Sequence, residues 1–401
     1  MGFNRRALLT GQFSNNRIKA TIRSSAISNR HVLVCLFQRG AADALNAIVP
    51  YADSNYFSHR PTIAIPPPGE FNGALDLDGF FGMNPNLTGF RSLYQQGHLA
   101  VVNACGIPHG SRSHFDAQVL VERAAISKAG DASGWLGRHF AIQHQITPPN
   151  SSFHLVALSG NVPVSLYGAE EPLAMANIAE FGLDQGIIDS GYTDVLDKLF
   201  KPELPLHDTA QKALNALDEL QIANPSQFSV DNNATYPNSE LGNKMRQVAQ
   251  LIKSDLPVET VCVDSENWDH HESIATYLPQ SLSDLDNAVS AFYQDMGSRM
   301  DQVTVLIHTE FGRRVKENAS AGVDHGTGSV AYLLGNGING GQVIGAWPGL
   351  AQSNLEQGED LAITTDLRSV FAEVLTKRMG ATDLTEVLPG FGGNLDLGAL
   401  I

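Results

Sequence analysis

The run from residue 303 to residue 334 constrains the fold of this chain more than any other. It holds two apolar, β-branched segments, and polar side chains of the kind that bind metals stand beside each. The first segment, residues 302–308, predicts a buried parallel strand, and Glu310 follows at its carboxyl end. Asp324 and His325 stand just before the second segment. Ligands of open α/β sheets collect outside the carboxyl ends of the strands, so this arrangement indicates a metal site.

Short apolar runs alternate with helical patterns along most of the chain. This alternation predicts an α/β fold, with a mostly parallel central sheet covered by helices on both faces. We expect a polar arm at residues 1–29, a main domain at 30–401 and a helical cap inserted at 160–255. The predicted strands are residues 31–37, 98–103, 153–158, 259–263, 302–308 and 329–334. The predicted helices are residues 86–96, 113–125, 192–200, 208–222, 239–254, 279–299 and 365–377.

Composition excludes some classes of function. The chain has 401 residues, enough for a large core, and its formal net charge of −16 argues against nucleic acid as a partner. No apolar run approaches the roughly 20 residues that span a bilayer. The three cysteines form no disulfide or metal-binding pattern, and we expect them to be buried as small hydrophobic residues.

The N-terminus resembles an export signal only in part. Arg5 and Arg6 match a twin-arginine pair, but polar residues interrupt the segment from 12 to 19, where an apolar stretch should follow. We therefore expect that this segment is not cleaved. A working signal would place the protein in the periplasm, and a failed one would leave it in the cytoplasm.

Three other segments place polar side chains at the ends of predicted strands or the start of a predicted helix. Asp43 follows the strand at 31–37, and Asp269 and His271 follow the strand at 259–263. Ser113 opens a helical pattern, where a hydroxyl meets the free N–H groups of a helix start. Ser113 could be a nucleophile, an N-cap or both.

Together these motifs resemble the bacterial DUF1501 proteins, whose relatives are grouped with the alkaline phosphatase and sulfatase superfamily. The resemblance covers residues 30 to about 378. A further match at 345–350 offers no ligand and is interpreted as structural. The motifs with polar side chains are residues 37–46, 111–118, 134–138, 267–271, 309–313 and 324–328.

The superfamily resemblance implies a two-metal site and assigns roles to particular residues. Phe311 departs from the pattern, because the superfamily has a histidine there; His308, His270 or Asp324 could substitute for it. One metal position is therefore depleted of a ligand unless one of these residues replaces it. If one ion is held rather than two, it should lie near Asp269, His271 and His325. The implied metal ligands are Asp43, Ser113, Asp269, His271, Glu310 and His325, with Ser113 also matching the nucleophile.

Structural interpretations of the same residues stay open. Asp43 could cap a helix, Glu310 could pair with Arg313 or Arg314, and Asp269 with His271 could be a charged surface pair. For His325 the ligand interpretation is favoured, since Asp324 could orient its ring and Gly326 allows close backbone approach.

Arg39 and Arg112 could clamp a tetrahedral anion, or each could form a structural ion pair in this acidic protein. The leading hypothesis is a metal-dependent hydrolase of a small anionic phosphate or sulfate ester, with Zn²⁺, Mn²⁺, Ca²⁺ or Mg²⁺ as the ion. The alternative is a catalytically decayed member of the fold that acts in binding or assembly, and the oligomeric state is not predicted.

Overall fold

The computed structural model of the chain describes residues 30–149, 151–181 and 207–401. The N-terminal arm with its twin-arginine pair and the predicted helix at 192–200 lie outside these residues. The strands are β1 (Val32–Gln38), β2 (Ile48–Val49), β3 (Leu75–Asp76), β4 (Gly82–Met83), β5 (Leu99–Gly106), β6 (Leu155–Leu158), β7 (Leu173–Ala174), β8 (Thr260–Ser265), β9 (Val303–Thr309), β10 (Ser329–Leu334), β11 (Val343–Ile344) and β12 (Thr365–Asp366). The α-helices are α1 (Ala44–Ala47), α2 (Ser54–His59), α3 (Thr88–Gln95), α4 (His114–Glu122), α5 (Trp135–Ile146), α6 (His207–Ala223), α7 (Glu240–Lys253), α8 (Ile274–Met296) and α9 (Leu367–Lys377).

A central sheet organises the described part of the chain. Its order is β11-β5-β10-β9-β1-β8-β6-β7, with β12 paired to β5. Every pairing is parallel except those of β10, which runs antiparallel to both β5 and β9. The predicted α/β fold with a mostly parallel sheet is confirmed, and all six predicted strands are present in it.

The two faces of the sheet are buried under separate helical layers. Alternate residues of β1 point to opposite sides, because side chains in a strand alternate. Val34 belongs to a core with residues of α3, α7 and α8, whereas Leu33 belongs to a second core with residues of α5 and α9. Strands buried on both faces read as continuous apolar runs, which explains why β1, β5 and β9 were recognisable in the sequence.

Two long segments of the chain separate strands of this sheet. Residues 51–85, rich in proline and glycine, contribute β3 and β4, which form a small sheet with β2. The described parts of residues 160–255 contain β7, α6 and α7, and α7 packs on α8 and β8. The cap boundaries remain a prediction. No helix in the described ranges has the length and apolar character needed to cross a bilayer, and all three cysteines are free and buried.

Candidate metal centre

The reversed direction of β10 brings two of the predicted motifs together. Glu310 follows the carboxyl end of β9, and His325 precedes the amino end of β10. Because β10 pairs with β9 antiparallel, the start of β10 lies at the same edge as the end of β9. The backbone of Arg313 bridges that of His325 directly. The loop after β8, which carries Asp269 and His271, reaches the same edge.

Three imidazole rings and one carboxylate converge at this edge. The Nε2 atom of His325 lies 2.9 Å from Nε2 of His114 and 2.8 Å from Nε2 of His271. Oδ1 of Asp269 lies 3.0 Å from Nε2 of His271 and 3.4 Å from Nε2 of both other histidines. Among the described residues, His114, Asp269 and His325 form the one group whose ligand atoms all lie within 4.8 Å of one another. These residues could hold a metal ion.

Each imidazole ring also has a hydrogen-bond partner at Nδ1, and this contact orients the ring. Nδ1 of His114 faces the Glu310 carboxylate at 2.8 Å, Nδ1 of His325 donates to the Arg112 carbonyl oxygen at 2.7 Å, and Nδ1 of His271 faces the Asp324 carboxylate at 3.3 Å. An acceptor beside Nδ1 assigns the proton to that nitrogen and leaves Nε2 as a lone pair. Acceptors of this kind accompany most metal-bound histidines in proteins.

The donor set fits a divalent transition metal. Bare Nε2 lone pairs 2.8–2.9 Å apart repel unless a proton or a cation lies between them. Ligands at about 2.0–2.1 Å from a tetrahedral ion are separated by about 3.3 Å, close to the observed spacing. Burial, together with the positive charge of Arg313, lowers the pKa of His325, so this ring resists becoming the bridging proton donor.

Glu310 acts on the cluster through His114. Its Oε1 accepts hydrogen bonds from Gly40 N at 2.9 Å and from Gln118 Nε2 at 3.1 Å, as well as facing His114. Burial raises the pKa of this carboxyl, but the bonds from His114, Gln118 and Thr309 outweigh burial and bring the pKa to about 2. The hydrogen bond to Glu310 in turn raises the pKa of His114. Glu310 is therefore an ionised carboxylate that holds His114, one of the candidate metal ligands, in place.

Arg313 holds Asp269 in place from inside the protein. The guanidinium is fully buried, and it donates to Asp269 Oδ1 at 2.5 Å, to Ala41 O at 2.7 Å and to Val323 O at 3.2 Å. Burial raises the pKa of Asp269, but Arg313 overcomes this effect and lowers the pKa to about 2. Asp269 is thus ionised at neutral pH.

Charge around the cluster matches one divalent ion. The carboxylates of Asp269, Glu310 and Asp324 lie against the rings or within the cluster, and Arg313 is the cation that touches it. Three carboxylates and one guanidinium leave two negative charges. A divalent cation balances them.

Glycine permits two close backbone approaches that shape the site. A Cβ on Gly40, whose φ is +115°, would lie 2.7 Å from Asp269 N. A Cβ on Gly326 would lie 2.5 Å from the carbonyl carbon of Arg313. Any other residue at Gly40 or Gly326 would push the loops that carry Asp269 and His325 away from the edge.

Asp43 lies outside the convergent group. Both of its oxygens accept hydrogen bonds from Arg60, at 2.6 and 2.8 Å, and the two side chains are almost fully buried. Asp43 also occupies the N-cap position of α1 without a side-chain cap bond. The structure thus brings together Asp269, His271 and His325, places Glu310 behind His114, and leaves Asp43 with Arg60.

Both arginines considered for anion binding are engaged elsewhere. Nε of Arg39 lies 2.8 Å from Asp264, and its Nη2 lies 3.3 Å from Glu122. Nη2 of Arg112 lies 2.5 Å from the buried carboxylate of Asp360. These are the structural ion pairs that the sequence left open.

Ser113 lies between two residues bound to the cluster. It occupies the N-cap position of α4, is exposed, and makes no side-chain cap hydrogen bond. The preceding residue, Arg112, accepts from His325, and the following residue is His114. Ser113 is therefore flanked in the chain by two residues that contact the cluster, and its hydroxyl is not consumed by capping the helix.

Sequence reasoning missed His114 and assigned Asp324 to the wrong ring. His114 stands beside Ser113 at a helix start, and this position was the available signal. Asp324 contacts His271, whereas the Arg112 carbonyl orients His325. Phe311 packs against both His114 and His325, with ring centroids 5.0 and 5.2 Å away, and so supports the rings from behind.

A family match decides the relationship of this chain to known proteins. The model of the family described as "Protein of unknown function (DUF1501)" matches residues 98–390. The chain belongs to the DUF1501 family. The resemblance seen in its motifs is thereby confirmed at the level of the family, and no curated protein matches the chain.

Solved structures that resemble this DUF1501 protein share about a tenth of its residues. The C-terminal periplasmic domain of EcEptC from Escherichia coli, in complex with Zn, is 10% identical, covers 92% of this chain and 89% of its own, with a TM-score of 0.39. An alkaline phosphatase from the Antarctic bacterium TAB5 is 10% identical, covers 77% and 93%, with a TM-score of 0.33. The PsFucS1 sulfatase from Pseudoalteromonas sp. is 9% identical, covers 96% and 76%, with a TM-score of 0.37. Similarity at this level says nothing of the ligands or activity of this chain.

Proposed function

We propose that this DUF1501 protein binds one divalent metal ion and hydrolyses a phosphate or sulfate ester. The ion would be held by Nε2 of His114, His271 and His325 and by Oδ1 of Asp269. The observation that carries the proposal is the convergence of these four atoms, each histidine being oriented through Nδ1. The donor set is rich in nitrogen, which favours Zn²⁺ over Mn²⁺, Ca²⁺ or Mg²⁺.

Exposure of the ligands supports a reactive site rather than a structural one. The side chains of Asp269 and His271 are 46% and 43% exposed, so an ion there would face solvent and could accept a substrate oxygen. Closed structural sites bury their ligands and favour cysteine. When bound, a divalent ion supplies Lewis acidity and lowers the pKa of an adjacent hydroxyl or water.

Ser113 is the proposed nucleophile. Its hydroxyl is exposed at the start of α4, whose free N–H groups and positive end favour a developing anion. The adjacent His114 and Arg112 tie the backbone of this turn to the cluster, which keeps the backbone of Ser113 beside a ligand. Glu310 is a positioning residue in this proposal, since His114 binds its carboxylate. Asp43 is the buried partner of Arg60 and has no role in the site.

A second candidate function is metal binding without hydrolysis. It is favoured by the ion pairs of Arg39 and Arg112, which leave neither guanidinium free to clamp an anionic ester. In that case Phe311 would mark a site that has kept one ion and lost its chemistry.

The deciding experiment combines metal content with hydrolysis. Purified protein is loaded with Zn²⁺ or Mn²⁺, freed of excess metal and subjected to elemental analysis, and then tested on 4-nitrophenyl phosphate and 4-nitrophenyl sulfate. We expect one bound ion per chain and a measurable rate on one ester. His114→Ala should lose the ion, whereas His31→Asn, at the amino edge of the sheet before β1, should keep it. Two ions per chain, or full occupancy in His114→Ala, would contradict the proposed site; one ion without any rate would select the second function.

A further inference from the structure

One face of α4 carries a candidate metal ligand and two further polar side chains, spaced four residues apart. They are His114, Gln118 and Glu122. Residues at this spacing lie on the same face of a helix. His114 and Gln118 both contact Glu310, which follows β9, and Glu122 contacts Arg39, which follows the neighbouring strand β1. This face of α4 therefore connects the cluster with the end of β1.

Gln118 lies between a carboxylate and a guanidinium. Its Nε2 donates to Glu310 Oε1 at 3.1 Å, and its Oε1 accepts from Arg39 Nη1 at 3.2 Å. Turning the amide by half a revolution would place its oxygen against the carboxylate and its NH₂ group against the guanidinium. Both contacts would be repulsive, because a carboxylate only accepts hydrogen bonds and a guanidinium only donates them. Arg39 therefore decides that the donor end of Gln118 faces Glu310.

Arg39 is itself held by contacts on several sides. Its Nε lies 2.8 Å from Asp264 and its Nη2 lies 3.3 Å from Glu122. Its guanidinium carbon lies 4.4 Å from the centre of the Phe37 ring. With Nη1 on Gln118, each of the three nitrogens has a different acceptor. A planar guanidinium reaches three separate acceptors at once, which the single nitrogen of a lysine does not.

Gln118 ties the Glu310 carboxylate to the helix that carries His114. Two other donors to this carboxylate, Gly40 N at 2.9 Å and Thr309 Oγ1 at 2.8 Å, belong to the ends of β1 and β9. Gln118 belongs to α4, so the carboxylate is fixed both to the edge of the sheet and to the helix. A carboxylate fixed in this way holds the ring of His114 in one orientation.

We propose that Arg39 and Gln118 are positioning residues of the metal centre. Arg39 fixes the amide of Gln118, and Gln118 fixes the Glu310 carboxylate. Glu310 in turn orients His114 towards the ion. This inference rests on the proposed function, because it takes His114 as a metal ligand. It gives Arg39 a role in the centre that requires no contact with a substrate.

Zinc affinity in four proteins tests this order of contacts. They are the wild type, Gln118→Met, Arg39→Lys and the double variant, compared by competition with a chromophoric chelator and by urea unfolding of the same samples. Methionine keeps the length of glutamine and removes both polar ends. Lysine keeps a cation beside Asp264 and Glu122 but has no second nitrogen for Gln118. We expect Gln118→Met to weaken binding about fivefold and Arg39→Lys about threefold, less than the roughly 10–100-fold typical of a direct partner of a ligand.

The double variant distinguishes a chain of contacts from two independent structural effects. If Arg39 acts through Gln118, Arg39→Lys should cause no further loss of zinc affinity in the Gln118→Met background. Arg368→Lys is the matched control, because Arg368 also pairs with an aspartate, Asp366, and lies 4.8 Å from the centre of an aromatic ring, that of Phe391, but on α9. It should lower stability without changing zinc affinity.

Unchanged zinc affinity in Gln118→Met would overturn the inference, and so would an equal loss from Arg39→Lys in both backgrounds. In either case, an ion bound by the wild type would leave the proposed metal site unrefuted. A wild type that binds no ion would refute the proposed site and the inference together. The expected changes in zinc affinity without hydrolysis of 4-nitrophenyl phosphate or 4-nitrophenyl sulfate would support the inference and refute the hydrolase alone.

Discussion

Replacing Glu310 by glutamine should weaken metal binding about 10–100-fold while leaving the fold intact. The substitution keeps the shape of the side chain and removes its charge. The amide oxygen of Gln can still accept from Gly40, Gln118 and His114, and its NH₂ can donate to the Thr309 hydroxyl, which in turn donates to the Gln38 carbonyl. Glu310→Gln therefore isolates the effect of the charge behind His114.

The magnitude follows from the loss of a charge-assisted bond. A hydrogen bond to a carboxylate is about twice as strong as one to a neutral amide, and a neutral partner makes His114 a less basic ligand. A loss of 10–100-fold in affinity corresponds to about 1.4–2.8 kcal/mol. The free energy of unfolding should fall as well, by roughly 3 kcal/mol, because the folded state lowers the pKa of Glu310 from 4.5 to about 2. A lowered carboxyl pKa stabilises above pH 4.5, and this contribution fades as the pH falls towards 2.

The assay is competition between the protein and a chromophoric chelator for Zn²⁺ at pH 7.5, with urea unfolding on the same samples. Glu373→Gln is the matched control, because Glu373 is also fully buried and accepts from Leu397 N and Leu400 N, far along the chain from the cluster. It should lower stability and leave affinity unchanged. Affinity of Glu310→Gln within twofold of the wild type would refute the idea that Glu310 acts through His114.

Three further predictions concern other parts of the molecule. Ser113→Ala should abolish ester hydrolysis and cost well under ~1 kcal/mol of stability, because the hydroxyl makes no cap bond; a retained rate would remove Ser113 from the chemistry. Asp43→Asn should lower the free energy of unfolding by about 3–5 kcal/mol by leaving the buried charge of Arg60 without its counter-charge, and metal content per folded chain should stay unchanged. Burial lowers the pKa of His139 to about 4, so the unfolded chain takes up the proton first and stability should fall by up to roughly 3 kcal/mol as the pH drops from 6.5 to 4. His139→Gln should flatten this slope in unfolding curves measured across that range, and an unchanged slope would contradict the assignment.

The sequence predicted best those elements whose residue pattern is set by one interaction, the burial of apolar side chains. The apolar runs that became β1, β5 and β9 were recognisable because both faces are buried, and a continuous apolar pattern follows from that burial alone. The motifs after β8 and β9 and before β10 were found because polar side chains end an apolar run. For the motifs after β8 and β9, the meeting at one edge followed from the expectation that the carboxyl ends of parallel strands share an edge. His325 joins them only because β10 is antiparallel to β9.

The sequence could not predict which arginine would pair with which aspartate. Asp43 and Asp269 both stand in loops after parallel strands, yet Arg60 binds the first and Arg313 the second. Arg60 and Arg313 are distant in the chain from their targets, and their reach depends on how the loops fold. The direction of β10 was also hidden, because an apolar run does not tell parallel from antiparallel pairing. His114 was not predicted, because the hydroxyl of Ser113 beside it already accounted for the motif at the helix start.

Arg313 gives the loops around the cluster a scaffold that does not depend on any ion. Its buried guanidinium is bonded to the carbonyl oxygens of Gly40, Ala41, Val323 and Trp268, which belong to three separate loops. A cation built into the chain cannot be diluted away or removed by a chelator. The shape of the site is therefore set by the polypeptide itself. An ion that binds there finds its donor atoms already in position and does not have to draw the loops together.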